Sequence, residues 1–267
     1  MRFYSHLKEV VFISVFAIGD LHLSLGCDKP MDIFGPAWEN HTDRLRENWN
    51  KIVSSGDTVV VPGDISWAMD FEQARADFHF IESLNGKKIL LKGNHDYWWQ
   101  TNAKNAKFLA SEGLSTITLL FNDAVQAEDF IICGTRGWFV DSAYSPEDEK
   151  IVEREAGRFR LSFQAAEKLQ KQNGGEILAF LHYPLCYGGV VCEKLASVVA
   201  ESGIRRCWYG HLHGVSQSRL HASCKGVRTE LVAADYVQFK PVRIFPQKKH
   251  LTNRFRRVII KQTVEEE

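Results

Sequence analysis

Val15-Phe16-Ala17-Ile18-Gly19-Asp20-Leu21-His22 sets the pattern from which the fold is read. Four apolar residues, closed by a glycine, read as a short buried strand. A carboxylate and an imidazole follow at once, two residues apart. The same order returns four times. Val59-Val60-Val61 leads into Gly63-Asp64, and Ile89-Leu90-Leu91 into Gly93-Asn94-His95-Asp96. Leu178-Ala179-Phe180-Leu181 leads into His182, and the shorter Cys207-Trp208-Tyr209 into Gly210-His211-Leu212-His213. Strand, tight turn and metal-ligating residue thus repeat along the chain. In sheets of mixed helix and strand, such residues gather beyond the carboxyl ends of the strands.

The intervening segments read as helices. Leu45, Trp49, Ile52 and Val53 share one face over 42–53, and Phe71, Ala74, Phe78, Ile81 and Leu84 share one over 71–84. Ser145-Pro146-Glu147-Asp148 has a capping serine, a first-turn proline and first-turn acids, so a helix or helix pair runs from there to about Gln172. A short helix fits 193–201, closed by Gly203. Further strands are expected at Thr116–Phe121, Phe130–Cys133, Glu230–Val232 and Tyr236–Phe239. No repeat or linker divides the 267 residues, which predicts one domain over 15–245, an extension at 1–14 and a basic, then acidic tail at 246–267.

Lys plus Arg and Asp plus Glu are equal at 33 each, so no global field favours nucleic acid or membrane. The basic residues Lys240, Arg243, Lys248, Lys249, Arg254, Arg256, Arg257 and Lys261 therefore read as a solvated tail. Six cysteines show neither a CxxC pair nor disulfide-framework spacing, which fits a reducing compartment. The apolar run Val10–Ile18 is shorter than the roughly 20 residues a bilayer needs. Cleaving it as a signal would detach the strand carrying Asp20 and His22. A cytoplasmic protein is expected.

Carboxylate, imidazole and amide oxygen together suit Mn, Fe or Zn, and one carboxylate can bridge two cations. Each motif alone is common, but their joint order is not. The series Asp20-x-His22, Gly63-Asp64, Gly93-Asn94-His95-Asp96, His182, Gly210-His211-x-His213 resembles the calcineurin-like metallophosphoesterase superfamily. Pro62–Trp67, Asn94–Trp99 and Gly134–Trp138 resemble a bacterial branch of predicted phosphohydrolases.

The resemblance implies an α/β fold, a four-layer α-β-β-α sandwich of two mixed sheets flanked by helices, with a dinuclear metal site at one end. It assigns Asp20, His22, Asp64 and His213 to one ion. Asp64, Asn94, His182 and His211 hold the other, with Asp64 bridging. His95 is the family's non-ligand histidine, facing the phosphoryl group and protonating the leaving oxygen, with Asp96 supporting it. The implied reaction is phosphoester hydrolysis by a metal-activated hydroxide. The substrate expected is a small phosphate ester, with a lean toward monoesters. A phosphodiesterase acting on cyclic nucleotides or nucleic acid, and a non-catalytic scaffold, are the alternatives.

Arg136, Asn94 and Trp98 are candidate substrate contacts. Trp67, Tyr97, Trp98 and Trp99 read either as packing, the favoured reading, or as a stacking wall for a flat leaving group. Phe139, Asp141 and Tyr144 extend a loop beside the site. His6, His41, His79, His221 and His250 lack ligand context and are taken as structural or solvated. Oligomeric state is not legible.

Overall fold

The computed structural model describes residues 13–140 and 142–244. The expected extension at 1–14 and tail at 246–267 therefore fall almost wholly outside the described residues, as does Asp141. In chain order the elements are β1 (Val15–Ala17), α1 (His41–Ile52), β2 (Thr58–Pro62), α2 (Phe71–Ser83), β3 (Lys87–Leu91), α3 (Asn102–Ser111) and β4 (Ile117–Leu119). Then come β5 (Ala124–Ala127), β6 (Phe130–Thr135), α4 (Pro146–Asn173), β7 (Glu176–Leu181), β8 (Cys186–Tyr187) and β9 (Val190–Val191). The last are α5 (Glu193–Glu201), β10 (Arg206–Tyr209), β11 (Ser223–Cys224), β12 (Val227–Leu231) and β13 (Val242–Ile244).

Two mixed sheets form. One has the order β13-β1-β2-β3-β4 and the other β11-β12-β10-β7-β6-β5. β1 to β4 pair in parallel, with β13 antiparallel at the edge. In the second sheet β6, β7, β10 and β12 are parallel, with β5 and β11 as antiparallel edges.

Alternate strand residues point to opposite faces, and that alternation produces the four layers. Val15, Ala17, Val60, Ile89 and Leu91 face Ile132, Leu178, Phe180 and Trp208 between the sheets. Their neighbours Phe16, Val59, Val61 and Leu90 turn outward onto Leu45, Trp49, Phe78, Ile81 and Phe108 of α1, α2 and α3. On the far side, Ile131, Cys133, Ala179, Leu181 and Tyr209 meet Ala156 and Phe159 of α4 and Leu195 and Val199 of α5. Both faces of each sheet are thus covered, as near-continuous apolar strands require.

α4 is a single 28-residue helix started by a full capping box between Ser145 and Asp148. α1, α2 and α5 lie where the apolar spacing puts them. One element is additional and one expectation needs correction. Asn102–Ser111 forms α3, which the sequence reading left unassigned. Tyr236–Phe239 is a turn, not a strand: Gln238 and Phe239 both have left-handed backbones, and the Phe239 N–H bonds to the Ala234 carbonyl. The turn drives the Phe239 ring inward against Trp38 and His41. Among the described residues no helix is long and apolar enough to cross a membrane.

The sheets meet at the carboxyl end of β1. The Gly19 N–H bonds to the Val232 carbonyl, and the Ala234 N–H returns to the Gly19 carbonyl. The turns after β1, β2, β3, β7 and β10 are thereby drawn to one place.

Candidate metal centre

Asp20, His22, Asp64 and His211 all have φ between +45° and +72°. A left-handed backbone at a non-glycine residue costs about 1–3 kcal/mol and persists only where its surroundings hold it. Here the turns hold one another. The Asp20 N–H donates to the Gly63 carbonyl, the His22 N–H to the Asp64 carbonyl, and the Gly210 N–H to the His182 carbonyl. Gly63 has φ +93°, and a Cβ there would stand 2.6 Å from Nδ1 of His182 and 2.7 Å from Cα of Gly93. Only glycine lets these turns approach so closely.

Two groups of converging donors result: Asp20, His22 and His213, and Asp64, His182 and His211. In the first, Nε2 of His22 and Nε2 of His213 face each other at 3.1 Å, and Nε2 of His213 lies 3.7 Å from Oδ1 of Asp20. In the second, Oδ1 of Asn94 stands 2.6 Å from Nε2 of His182 and 3.0 Å from Nδ1 of His211. Asp64 lies between the groups. Its Oδ1 accepts the His95 N–H, while Oδ2 is 3.7 Å from Nε2 of His22 and 3.5 Å from Nε2 of His182.

Burial lowers the pKa of His22 well below the ordinary histidine range, and takes His182 and His211 to about 3, so these rings are neutral. Neutral imidazole is the form that ligates metal. Asp20 is fully buried, and its Oδ2 has no hydrogen-bond partner. Burial raises its pKa well above the carboxylate range, with His213 partly opposing. A buried carboxylate with one orphaned oxygen, whose other oxygen lies 3.7 Å from Nε2 of His213, fits a cation. The donor set therefore suits two divalent ions.

Outer contacts orient the rings. Nδ1 of His182 bonds to the Pro62 carbonyl at 3.1 Å. Nδ1 of His213 meets Oδ1 of Asp235 at 2.9 Å, and Oδ2 of Asp235 accepts the Gly214 N–H at 3.0 Å. Such partners fix tautomer and direction. The sequence reading missed Asp235, although Leu231-Val232-Ala233-Ala234-Asp235 repeats the pattern of apolar run followed by acid.

A groove of about 430 Å³ opens beside the first group, with Met31, Phe34, Trp38 and Trp67 on its apolar side and His95 at its edge. His95 packs on Trp67 at 4.2 Å between ring centres, and Trp67 stacks on His22 at 5.0 Å. Burial lowers the His95 pKa, and Nδ1 of its ring is buried without a partner.

Two assigned roles need correction. Asp96 does not touch the His95 ring. Its Oδ1 accepts the Ile65 and Ser66 N–H groups and the Trp98 indole, and its Oδ2 accepts the Gly93 N–H, so it ties the β2 and β3 turns together. Trp98 is fully buried, edge-on to Phe78, and cannot meet a substrate. Trp99 is buried as well, while Trp67 lines the groove and Tyr97 is half exposed. The Arg136 carbonyl accepts the N–H groups of His182 and Tyr183, and its guanidinium lies over Trp138 and lines a separate pocket. Phe139 is buried in the α4 layer. His41, His79 and His221 stand outside both donor groups.

The calcineurin-like phosphoesterase family profile matches residues 13–215. A search of curated proteins found no match. Solved structures similar to the chain include the phosphopantetheinyl hydrolase from Mycobacterium tuberculosis, at 16% identity and TM-score 0.49, covering 89% of this chain and 97% of that one. A second is the protein of unknown function AQ665 from Aquifex aeolicus, at 15% identity and TM-score 0.45, covering 94% of this chain and 100% of that one. A third is TT1561 of Thermus thermophilus, at 11% identity and TM-score 0.46, covering 75% of this chain and 82% of that one. The match spans every turn of the centre, and the chain belongs to the calcineurin-like phosphoesterase family, whose members are metal-dependent hydrolases of phosphoric esters.

Proposed function

We propose that the chain is a dinuclear phosphoesterase with a preference for small phosphomonoesters, and that 15–245 is its single functional unit. The carrying observation is Asp64, whose Oδ2 stands between an imidazole of each donor group. In this reading Asp20, His22, Asp64 and His213 hold one ion and Asp64, Asn94, His182 and His211 the other. Two such ions lower the pKa of water and offset charge on the phosphoryl oxygens. Mn, Fe and Zn all suit the donors. Asp64 would be shared by the two ions, and Asp235 orients the His213 ring through its bond to Nδ1.

His95 donates the proton that the leaving oxygen needs, from a ring held against Trp67. The apolar wall of Met31, Phe34, Trp38 and Trp67 receives the ester's organic part. Lys29 lies 4.7 Å from the Trp67 ring centre. A cation there favours the dianionic monoester over a diester. Six free cysteines, five of them buried, support a cytoplasmic setting.

The test is hydrolysis of p-nitrophenyl phosphate and bis-p-nitrophenyl phosphate by chelator-stripped protein with Mn restored. The reading expects metal-restored turnover, faster on the monoester. Asp64→Asn should lose bound metal and activity together, while His95→Ala should keep the metal and lose about 10²–10⁴-fold in rate. A faster diester reaction would replace the monoester preference. Protein that binds no divalent metal and turns over neither ester would be a scaffold.

A further inference from the structure

Beside the metal centre, at the same carboxyl end of the strands, lies a second pocket of about 360 Å³. Lys92, Arg136, Arg154 and Arg158 line it with one carboxylate, Glu155. That carboxylate is already committed. It is fully buried, its Oε2 accepts the Thr135 hydroxyl at 2.6 Å, and its Oε1 accepts Arg158 at 2.6 Å. Arg136 and Arg154 stand 3.7 and 3.9 Å away, beyond hydrogen-bond reach. Nε of Arg136 is buried with no hydrogen-bond partner, and Lys92 forms no ion pair among the described residues.

Four cations around one occupied carboxylate leave a concentrated positive field in a confined space. Three arginines within 4 Å of one buried carboxylate, with Lys92 beside them, leave net positive charge that an entering anion would offset. Guanidinium groups match phosphate oxygens in two-point contact. The volume exceeds what a bare anion needs and lies within the range of small-molecule sites, about 300–1,000 Å³. Trp99 and Phe121 add a flat wall, their rings near parallel at 6.3 Å.

The pocket is joined to the centre through the chain. Lys92 is two residues before Asn94, and the Arg136 carbonyl takes the His182 N–H. Asn94 and His182 belong to the second donor group, while the apolar groove is lined by residues of both groups, His22 and His213 with Asp64 and His211. A phosphoryl group held by Asn94 and His182 would therefore have Lys92 and Arg136 as the next cations along the chain.

We infer that this pocket binds a second phosphate group of the substrate, making the substrate class a phosphate ester that carries another phosphate. The inference rests on the phosphoesterase reading above. Its test compares adenosine 3′,5′-bisphosphate with adenosine 3′-monophosphate and adenosine 5′-monophosphate on the metal-loaded full chain, as wild type, Lys92→Gln and Arg154→Gln. Metal-loaded crystals of each are also soaked in selenate.

The bisphosphate should have a kcat/KM at least tenfold above either monophosphate. Each variant should cut that ratio at least fivefold, mainly through KM, and the wild-type pocket should hold a selenate beside Arg136 that the variants lose. Equal use of all three esters, or a ratio indifferent to both substitutions, would overturn the inference. Selenate in the pocket of a protein that hydrolyses no ester would instead sink the phosphoesterase reading and leave the anion pocket standing.

Discussion

Replacing Asp235 by Asn should weaken one metal site, leave the other alone, and do so by an amount that grows with pH. In the native chain Oδ1 of Asp235 bonds Nδ1 of His213 while Oδ2 takes the Gly214 N–H, so both oxygens face donors. An amide can offer an oxygen to only one of them, and its NH₂ must confront the other. Losing a carboxylate behind a ligating histidine typically costs about 10–100-fold in metal affinity.

A second effect opposes it. Burial alone would lower the His213 pKa, but the Asp235 hydrogen bond and the charges of Asp20, Asp235 and Asp64 raise it to about 9. A proton must leave before the ring can bind an ion, so at pH 7 this competition weakens wild-type binding by up to about 100-fold, at 1.36 kcal/mol per pH unit. Asn at position 235 relieves that competition.

The two effects offset near neutrality and separate near pH 9. Titrating Mn into chelator-stripped protein and counting bound ions should therefore show one weakened site at pH 9, by about 10–100-fold, and a smaller difference at pH 7. The Asp64, His182 and His211 site should titrate alike in both proteins. A gap of the same size at both pH values, or an equal loss at both sites, would refute the reasoning.

Other substitutions probe other parts of the account. A Cβ at Gly210 would run into Oδ2 of Asp20 and lie 3.0 Å from its Cγ, so Gly210→Ala should keep its fold but bind one ion and lose about 10²-fold in turnover; elemental analysis with p-nitrophenyl phosphate kinetics reads both. Burial raises the Asp77 pKa to about 6, against donors from Ser66 and Leu25. The folded state then binds more protons than the unfolded between pH 3.8 and 6, so its stability contribution is complete below pH 3.8 and about 3 kcal/mol is lost as pH rises through 6. Denaturant unfolding at pH 4 and 7 should show that loss removed in Asp77→Asn. Gly157 sits inside α4 with open space where a Cβ would go, so Gly157→Ala should add about 0.5–1 kcal/mol to stability in the same assay, without changing metal content.

The candidate centre was legible because each candidate ligand is local to its strand. A buried apolar run ends, and the next residues form the turn; the distance between Asp20 and His213 in sequence does not matter once five such turns share one end. α1, α2, α4 and α5 were legible from apolar spacing and from the Ser145 cap. α3 was not, since it buries only Asn105 and Phe108 and so carries almost no periodic signal. Tyr236–Phe239 alternates like a strand, and nothing local reveals that Gln238 and Phe239 adopt left-handed backbones to bring a ring against Trp38.

Asp96 shows a different limit. Its place beside His95 in sequence suggests support for that ring, but successive residues in a tight turn point apart, and Asp96 faces the N–H groups of the neighbouring turn. The cationic pocket needed the three-dimensional structure, because Lys92, Arg136 and Arg154 come from three separate segments.

The most direct test of the account is crystallographic. Crystals of the full chain grown with Mn, measured at the metal's absorption edge, should give two anomalous peaks about 3.5–4 Å apart. Oδ2 of Asp64 should lie between them, with His22 and His213 beside one peak and His182, His211 and Asn94 beside the other. A single peak, or two peaks that Asp64 does not join, would contradict the dinuclear centre on which the proposed chemistry stands.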